Sequence, residues 1–89
     1  MDVQKAVIEK YGKTLQTFVA IEEMSELIKE LTKNQRGKDN HDAMVEEIAD
    51  VYIVLEQVMI MNGIDLNEVV VMMNQKLERT KERIEHESV

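Results

Sequence analysis

Asp65-Leu66-Asn67-Glu68-Val69-Val70-Val71 is the stretch that decides the fold class. The valine triplet alone would suit a strand, because β-branched side chains favour extended backbone. The four residues before it overrule that reading. An Asp followed three positions later by Glu is a capping box, in which the Asp side chain accepts from first-turn backbone N–H groups and the Glu reaches back to the cap. The triplet therefore opens a helix, with Leu66, Val69, Val70, Met73, Leu77 and Ile84 on its apolar stripe. Just upstream, Gly63 followed by Ile64 has the form of a Schellman ending, so the preceding helix closes near Asn62.

Working toward the N-terminus, Asp42 is positioned to cap that third helix, and residues 35–42 have the polar composition of a loop. A second helix runs from about Leu15 to about Asn34 with Thr14 as its cap. Asp2 caps a short first helix carrying Val3, Ala6, Val7 and Tyr11, and Gly12 ends it. The expected fold is all-α: a compact antiparallel bundle of about four helices forming one domain over residues 1–89. With no Pro, three Gly, three aromatics and 44% hydrophobic residues, its core is aliphatic, and the seven Met serve as adaptable filler. A chain of 89 residues buries only about 60 to 65% of its unfolded surface, so the bundle is expected to be completed by oligomerisation, as a homodimer or homotetramer.

Composition removes several classes of function. The absence of Cys excludes disulfides, thiolate zinc sites and cysteine nucleophiles. A net charge of -7 argues against nucleic-acid binding, which relies on clustered Lys and Arg. Residues 1–5 carry charge and no apolar run, and no apolar stretch approaches the roughly 18 residues that cross a bilayer, so no membrane association and a cytoplasmic location are expected.

What the helices carry is less ordinary. Glu22-Glu23-Met24-Ser25-Glu26 and Glu46-Glu47-Ile48-Ala49-Asp50 repeat one acidic pattern 24 residues apart. At about 100° per residue, Glu23 and Glu26 share a helix face, with Glu30 between them one turn on and Gln16 leading the same stripe. Leu15 and Val19 flank one edge of that stripe, and Ala20, Leu27 and Leu31 the other. Glu47 and Asp50 are flanked in the same way, by Ala43, Val54 and Met61 and by Ile48, Val51 and Leu55. Carboxylates directed at an apolar seam must be protonated, paired with bases or bound to a cation, because an unpaired buried carboxylate costs several kcal/mol. Few Lys or Arg of these helices face that way. Oxygen-only ligands favour Mg²⁺, or Mn²⁺, over zinc. Neither His41 nor His86 has a Glu three residues before it, which excludes the Glu-x-x-His pattern of di-iron bundles.

The run Gln16, Ile21-Glu22-Glu23-Met24, Glu26-Leu27, followed by Glu46-Glu47-Ile48-Ala49-Asp50-Val51, resembles the paired acidic motifs of the all-α nucleoside triphosphate pyrophosphohydrolases. That superfamily includes MazG-like enzymes, dimeric dUTPases and phosphoribosyl-ATP pyrophosphatases. The resemblance covers nearly the whole chain. It implies Glu23, Glu26, Glu47 and Asp50 as Mg²⁺ ligands and cleavage of a nucleoside triphosphate to the monophosphate and pyrophosphate. Glu26 is the expected general base, with Glu22 orienting it. A family element on the last helix is met by Lys76 and Arg83, while Thr80 stands where the family has Asn. Lys76 and Arg83 are thereby expected contacts to the nucleotide, and Gln16, from its position on the acidic stripe, is an expected contact to the nucleotide or to a metal-bound water. Lys33, Arg36 and Lys38 offer further charge in the loop region.

A different class of function also fits the helices. Ala49, Ile53 and Ile60 lie on the side of the third helix away from Glu47, so a catalytically silent interaction module would present this second apolar face to a partner. Stabilisation by Mg²⁺ separates the two readings, since only clustered carboxylates respond to it strongly.

Overall fold

The computed structural model describes residues 1–87 as four helices, α1 (Val3–Tyr11), α2 (Lys13–Gln35), α3 (His41–Met61) and α4 (Leu66–Glu87), with no strand among the described residues. The punctuation that forces helices is formed as the sequence indicates. Asp2 Oδ1 accepts from the Lys5 N–H at 3.2 Å. At the end of α3, Gly63 has φ 63, its N–H donates to Ile60 O at 3.4 Å, and the Ile64 N–H donates to Met59 O at 2.9 Å. These are the two bonds of a Schellman motif. The capping box is made as well: the Asp65 N–H donates to Glu68 Oε2 at 2.8 Å and the Asn67 N–H to Asp65 Oδ1 at 3.3 Å.

Two helix starts differ from expectation. α2 begins at Lys13, leaving Thr14 inside its first turn, because Gly12 both ends α1 and starts α2. Its N–H donates to Ile8 O at 2.8 Å, and its carbonyl accepts from Gln16 N–H at 3.1 Å. A one-residue junction leaves no place for a separate side-chain cap. α3 begins at His41 with Asn40, not Asp42, at the cap position. Asp42 instead sits in the first turn, where its charge meets the positive end of the helix. α2 also ends in a Schellman motif, with Gly37 at φ 98 and the Lys38 N–H donating to Lys33 O at 3.1 Å. Only a residue without Cβ takes these positive φ values at no steric cost.

The resulting tight turn lays α3 back along α2, and α1 rests on both. Where the two long helices meet, Ala20 and Val54 are 1% and 4% exposed, the small alanine allowing close approach. Beside them runs a chain of amides. Buried Gln16 donates from Nε2 to Gln57 Oε1 at 2.9 Å, buried Gln57 donates from Nε2 to Gln4 Oε1 at 2.7 Å, and Gln4 Nε2 donates to Ile53 O at 2.9 Å. One polar thread therefore joins α1, α2 and α3.

α4 forms no extended packing with the other three helices within the chain. Leu66, Val70, Met73 and Leu77 of its stripe are exposed. The radius of gyration is 16.8 Å, against about 12 Å for a compact globule of this length. Accessible surface is 7250 Å², where a folded monomer of this mass shows about 5,400 Å². On the outer side of α3, Ile53 and Ile60 are exposed too. No helix among the described residues is long and apolar enough to cross a membrane.

Gln57→Ala leaves the Gln16 amide and the Gln4 carbonyl without partners in a buried setting, so it is expected to cost about 2 to 4 kcal/mol in urea unfolding. Thr80→Ala, on the face of α4 and bonded only to its own helix at Lys76 O, is expected to change stability by less than about 0.5 kcal/mol.

Candidate metal centre

The seam between α2 and α3 carries acids on both sides. The i, i+3 spacing of Glu47 and Asp50 turns both toward α2, and Glu23 meets them from the opposite helix. One carboxylate oxygen from each of Glu23, Glu47 and Asp50 lies within 4.8 Å of the others, and all three side chains are half-buried. Glu47 Oε2 is buried and has no hydrogen-bond partner. None of the three forms a salt bridge among the described residues, whose ion pairs are Lys29 with Glu26 and Lys33 with Glu30.

The electrostatics follow from that crowding. Burial holds the Glu23 carboxyl above its ordinary value, reinforced by the charges of Asp50 and Glu47, a hydrogen bond to Asp50, and the charge of Glu22. Glu47 is likewise raised by burial first, and then by Asp50, Glu26, Glu46 and Glu30. Both shifts disfavour the ionised form. Glu30, one turn past Glu26, behaves oppositely: hydrogen bonds from Asn40 and Lys33 hold it below the ordinary range.

The donor set fits a hard divalent cation. Mg²⁺ takes oxygen ligands at about 2.1 Å in octahedral geometry, so oxygens on one ion stand about 3.0 Å apart when adjacent and about 4.2 Å apart when opposed, both inside the 4.8 Å that bounds the three oxygens. A cation would also supply the partner that Glu47 Oε2 lacks.

The expected site residues fall into four groups. Glu23, Glu47 and Asp50 come together. Glu26 is exposed and paired with Lys29 at 3.2 Å, although its charge is felt by Glu47. Gln16 lies two turns from Glu23 and is committed to Gln57, while Lys76 and Arg83 are exposed on α4, which does not lie along the acidic seam within one chain. Glu22 and Glu46 are exposed. Sequence reasoning missed Asn40. Its buried amide donates to Glu30 O at 2.9 Å and Glu30 Oε2 at 2.6 Å, and its Oδ1 accepts from Asn34 Nδ2 at 3.2 Å. No spacing rule marks an Asn that reaches ten residues back.

The family model for the MazG nucleotide pyrophosphohydrolase domain matches residues 12–84. No curated protein and no solved structure gives a significant match.

A carboxyl raised in the folded state binds its proton more tightly there than in the unfolded chain, so its contribution is present below the ordinary value of 4.5 and lost as pH rises through the raised value. Glu47→Gln should therefore raise the melting temperature of the metal-free protein at pH 7. It should also flatten the decline in stability above pH 4.5, as measured by thermal melts in a chelator from pH 4 to 8.

Proposed function

The chain belongs to the MazG nucleotide pyrophosphohydrolase domain family, and from that membership we propose that it cleaves a nucleoside triphosphate to the monophosphate and pyrophosphate with Mg²⁺, or Mn²⁺, as cofactor. The observation that carries the reading is the trio Glu23, Glu47 and Asp50 with its partnerless buried oxygen. These three would hold the cation. Glu26 joins them as fourth ligand by leaving Lys29, an exposed pairing of the kind worth about 0 to 1 kcal/mol. A divalent cation bound there offsets the charge of the phosphate chain and acidifies water at the site.

The chain's own residues account for the rest. A protein of net charge -7 repels a free triphosphate, so the ligand carboxylates bring substrate and cation in together. Glu26, exposed and with a charge that reaches Glu47, would accept the proton of the attacking water as the new oxygen–phosphorus bond forms and the bond to the departing pyrophosphate breaks. Glu22, exposed beside Glu23, sets the local field with Glu46. Gln16 supports the reaction from the amide chain by fixing α2 against α3.

Lys76 and Arg83 reach the phosphates once α4 is brought in by a second copy. The area argues for that association: exposure in excess of a compact monomer, about 1,800 Å² by mass scaling, exceeds the roughly 800 Å² per partner that a standard interface buries. Sedimentation should give a dimer or tetramer.

In a panel of ribo- and deoxyribonucleoside triphosphates, pyrophosphate rather than orthophosphate is the expected product. Glu47→Gln should lower its release at least about 100-fold, since even outer-sphere changes at metal sites cost 10- to 100-fold. Mg²⁺ at tenfold excess over its Kd should add about 1.4 kcal/mol, raising the melting temperature by roughly 6 to 11 °C. A silent interaction module would show neither effect.

A further inference from the structure

The acidic seam does not end at Glu47. Toward the α2–α3 turn it opens into a pocket of about 520 Å³ lined by Glu30, Lys38, Asp39, Asn40, His41, Asp42 and Ala43. Two of these residues make it continuous with the metal centre. Ala43 stands one turn before Glu47 on α3, and Glu30 stands one turn after Glu26 on α2, with a charge that reaches Glu47. The volume lies in the range of small-molecule sites.

Its chemistry selects one part of a nucleotide. Three carboxylates, Glu30, Asp39 and Asp42, outnumber Lys38 and His41, so the lining repels phosphate while offering acceptors to hydroxyl and amino groups. It lacks Phe, Tyr and Trp, which leaves hydrogen bonding rather than stacking as the means of recognition. Ala43 provides room. The wall is also fixed before any ligand arrives. Asn40, buried at 7% exposure, spends its amide on Glu30 and Asn34, and Lys33 grips the other Glu30 oxygen at 3.1 Å. Preorganised polar groups of this kind bind without the cost of ordering them.

We propose that the pocket at the α2–α3 turn receives the sugar–base end of the nucleotide, with Asp42 and His41 as its specificity-determining contacts and Asn40 as the positioning residue of its wall. The inference rests on the reaction proposed above. Phosphates bound at Glu23, Glu47 and Asp50 would leave the uncharged end of the substrate one helical turn away, at the mouth of this pocket.

Inorganic tripolyphosphate, which has no sugar or base, separates the two parts of the site. KM for the preferred nucleoside triphosphate should rise about tenfold in Asp42→Asn and in His41→Ala, the effect of losing one substrate hydrogen bond. Inhibition by Mg²⁺-tripolyphosphate should stay within twofold of wild type. Both residues are exposed, so the substitutions leave the fold intact. Asn40→Asp, which keeps the size of the side chain but puts a second carboxylate beside Glu30, should raise KM without changing the melting response to Mg²⁺. Unchanged KM in both pocket variants, or an equal loss of tripolyphosphate binding, would overturn the proposal while leaving the reaction standing. Wild-type protein that cleaves no nucleoside triphosphate at all would instead defeat the reaction itself.

Discussion

A carboxylate oxygen withdrawn from water needs something positive or a proton, and Glu47 Oε2 has neither a base nor a hydrogen-bond donor beside it. Glu23 and Asp50 do not relieve that demand. They share it, because all three acids converge on one seam, where burial and the neighbouring charges hold Glu23 and Glu47 above the ordinary carboxyl value. Folding α3 onto α2 through the turn at Gly37 therefore builds an electrostatic deficit as it builds a core. The burial of Ala20 and Val54 stabilises the pairing, and the acids one to two turns along oppose it. A divalent cation is one group that would neutralise such a cluster.

The rest of the molecule is arranged around that pairing in an economical way. Its few buried positions include three amide side chains, so much of the interior is specified by hydrogen bonds rather than by volume. The thread from Gln16 through Gln57 to Gln4 fixes how α1 sits on the helix pair. The clasp from Asn40 to Glu30 and Asn34 fixes the turn at the other end. Between these polar anchors lies the acidic trio of Glu23, Glu47 and Asp50. α4 contributes little to this unit, and its apolar stripe remains exposed along with the outer side of α3. Those surfaces give the chain its large area for its mass and are the reason to expect association.

Much of this was legible in local sequence rules, and the exceptions have physical causes. The capping box at Asp65 and Glu68, the Schellman ending at Gly63 and the cap at Asp2 each involve residues within five positions of one another, so spacing alone reveals them. The turn at Gly37 uses the same geometry without an apolar residue after the glycine, which hid it inside a polar loop. Helical periodicity placed Glu23, Glu47 and Asp50 on facing sides but could not tell that Glu26 turns outward to Lys29. Gln16 shared the acidic stripe by angle, yet its burial depends on Gln57, 41 residues away. The same limit applies to Asn40 and to α4: a capping residue or an amphipathic stripe announces a helix, not the contact that its side chains will make.

Proton release on Mg²⁺ binding is the most direct test of the cation requirement. Because burial and mutual charge hold the Glu23 and Glu47 carboxyls above their ordinary value, a cation that takes the place of their protons must expel them. Calorimetric titrations from pH 4.5 to 8 in pairs of buffers of different ionisation enthalpy should therefore give buffer-dependent binding heats, with a net proton release that shrinks as pH rises and is reduced in Glu47→Gln. Binding heats independent of buffer across that range, or no Mg²⁺ binding at any pH in it, would contradict the claim that these carboxylates form a cation site.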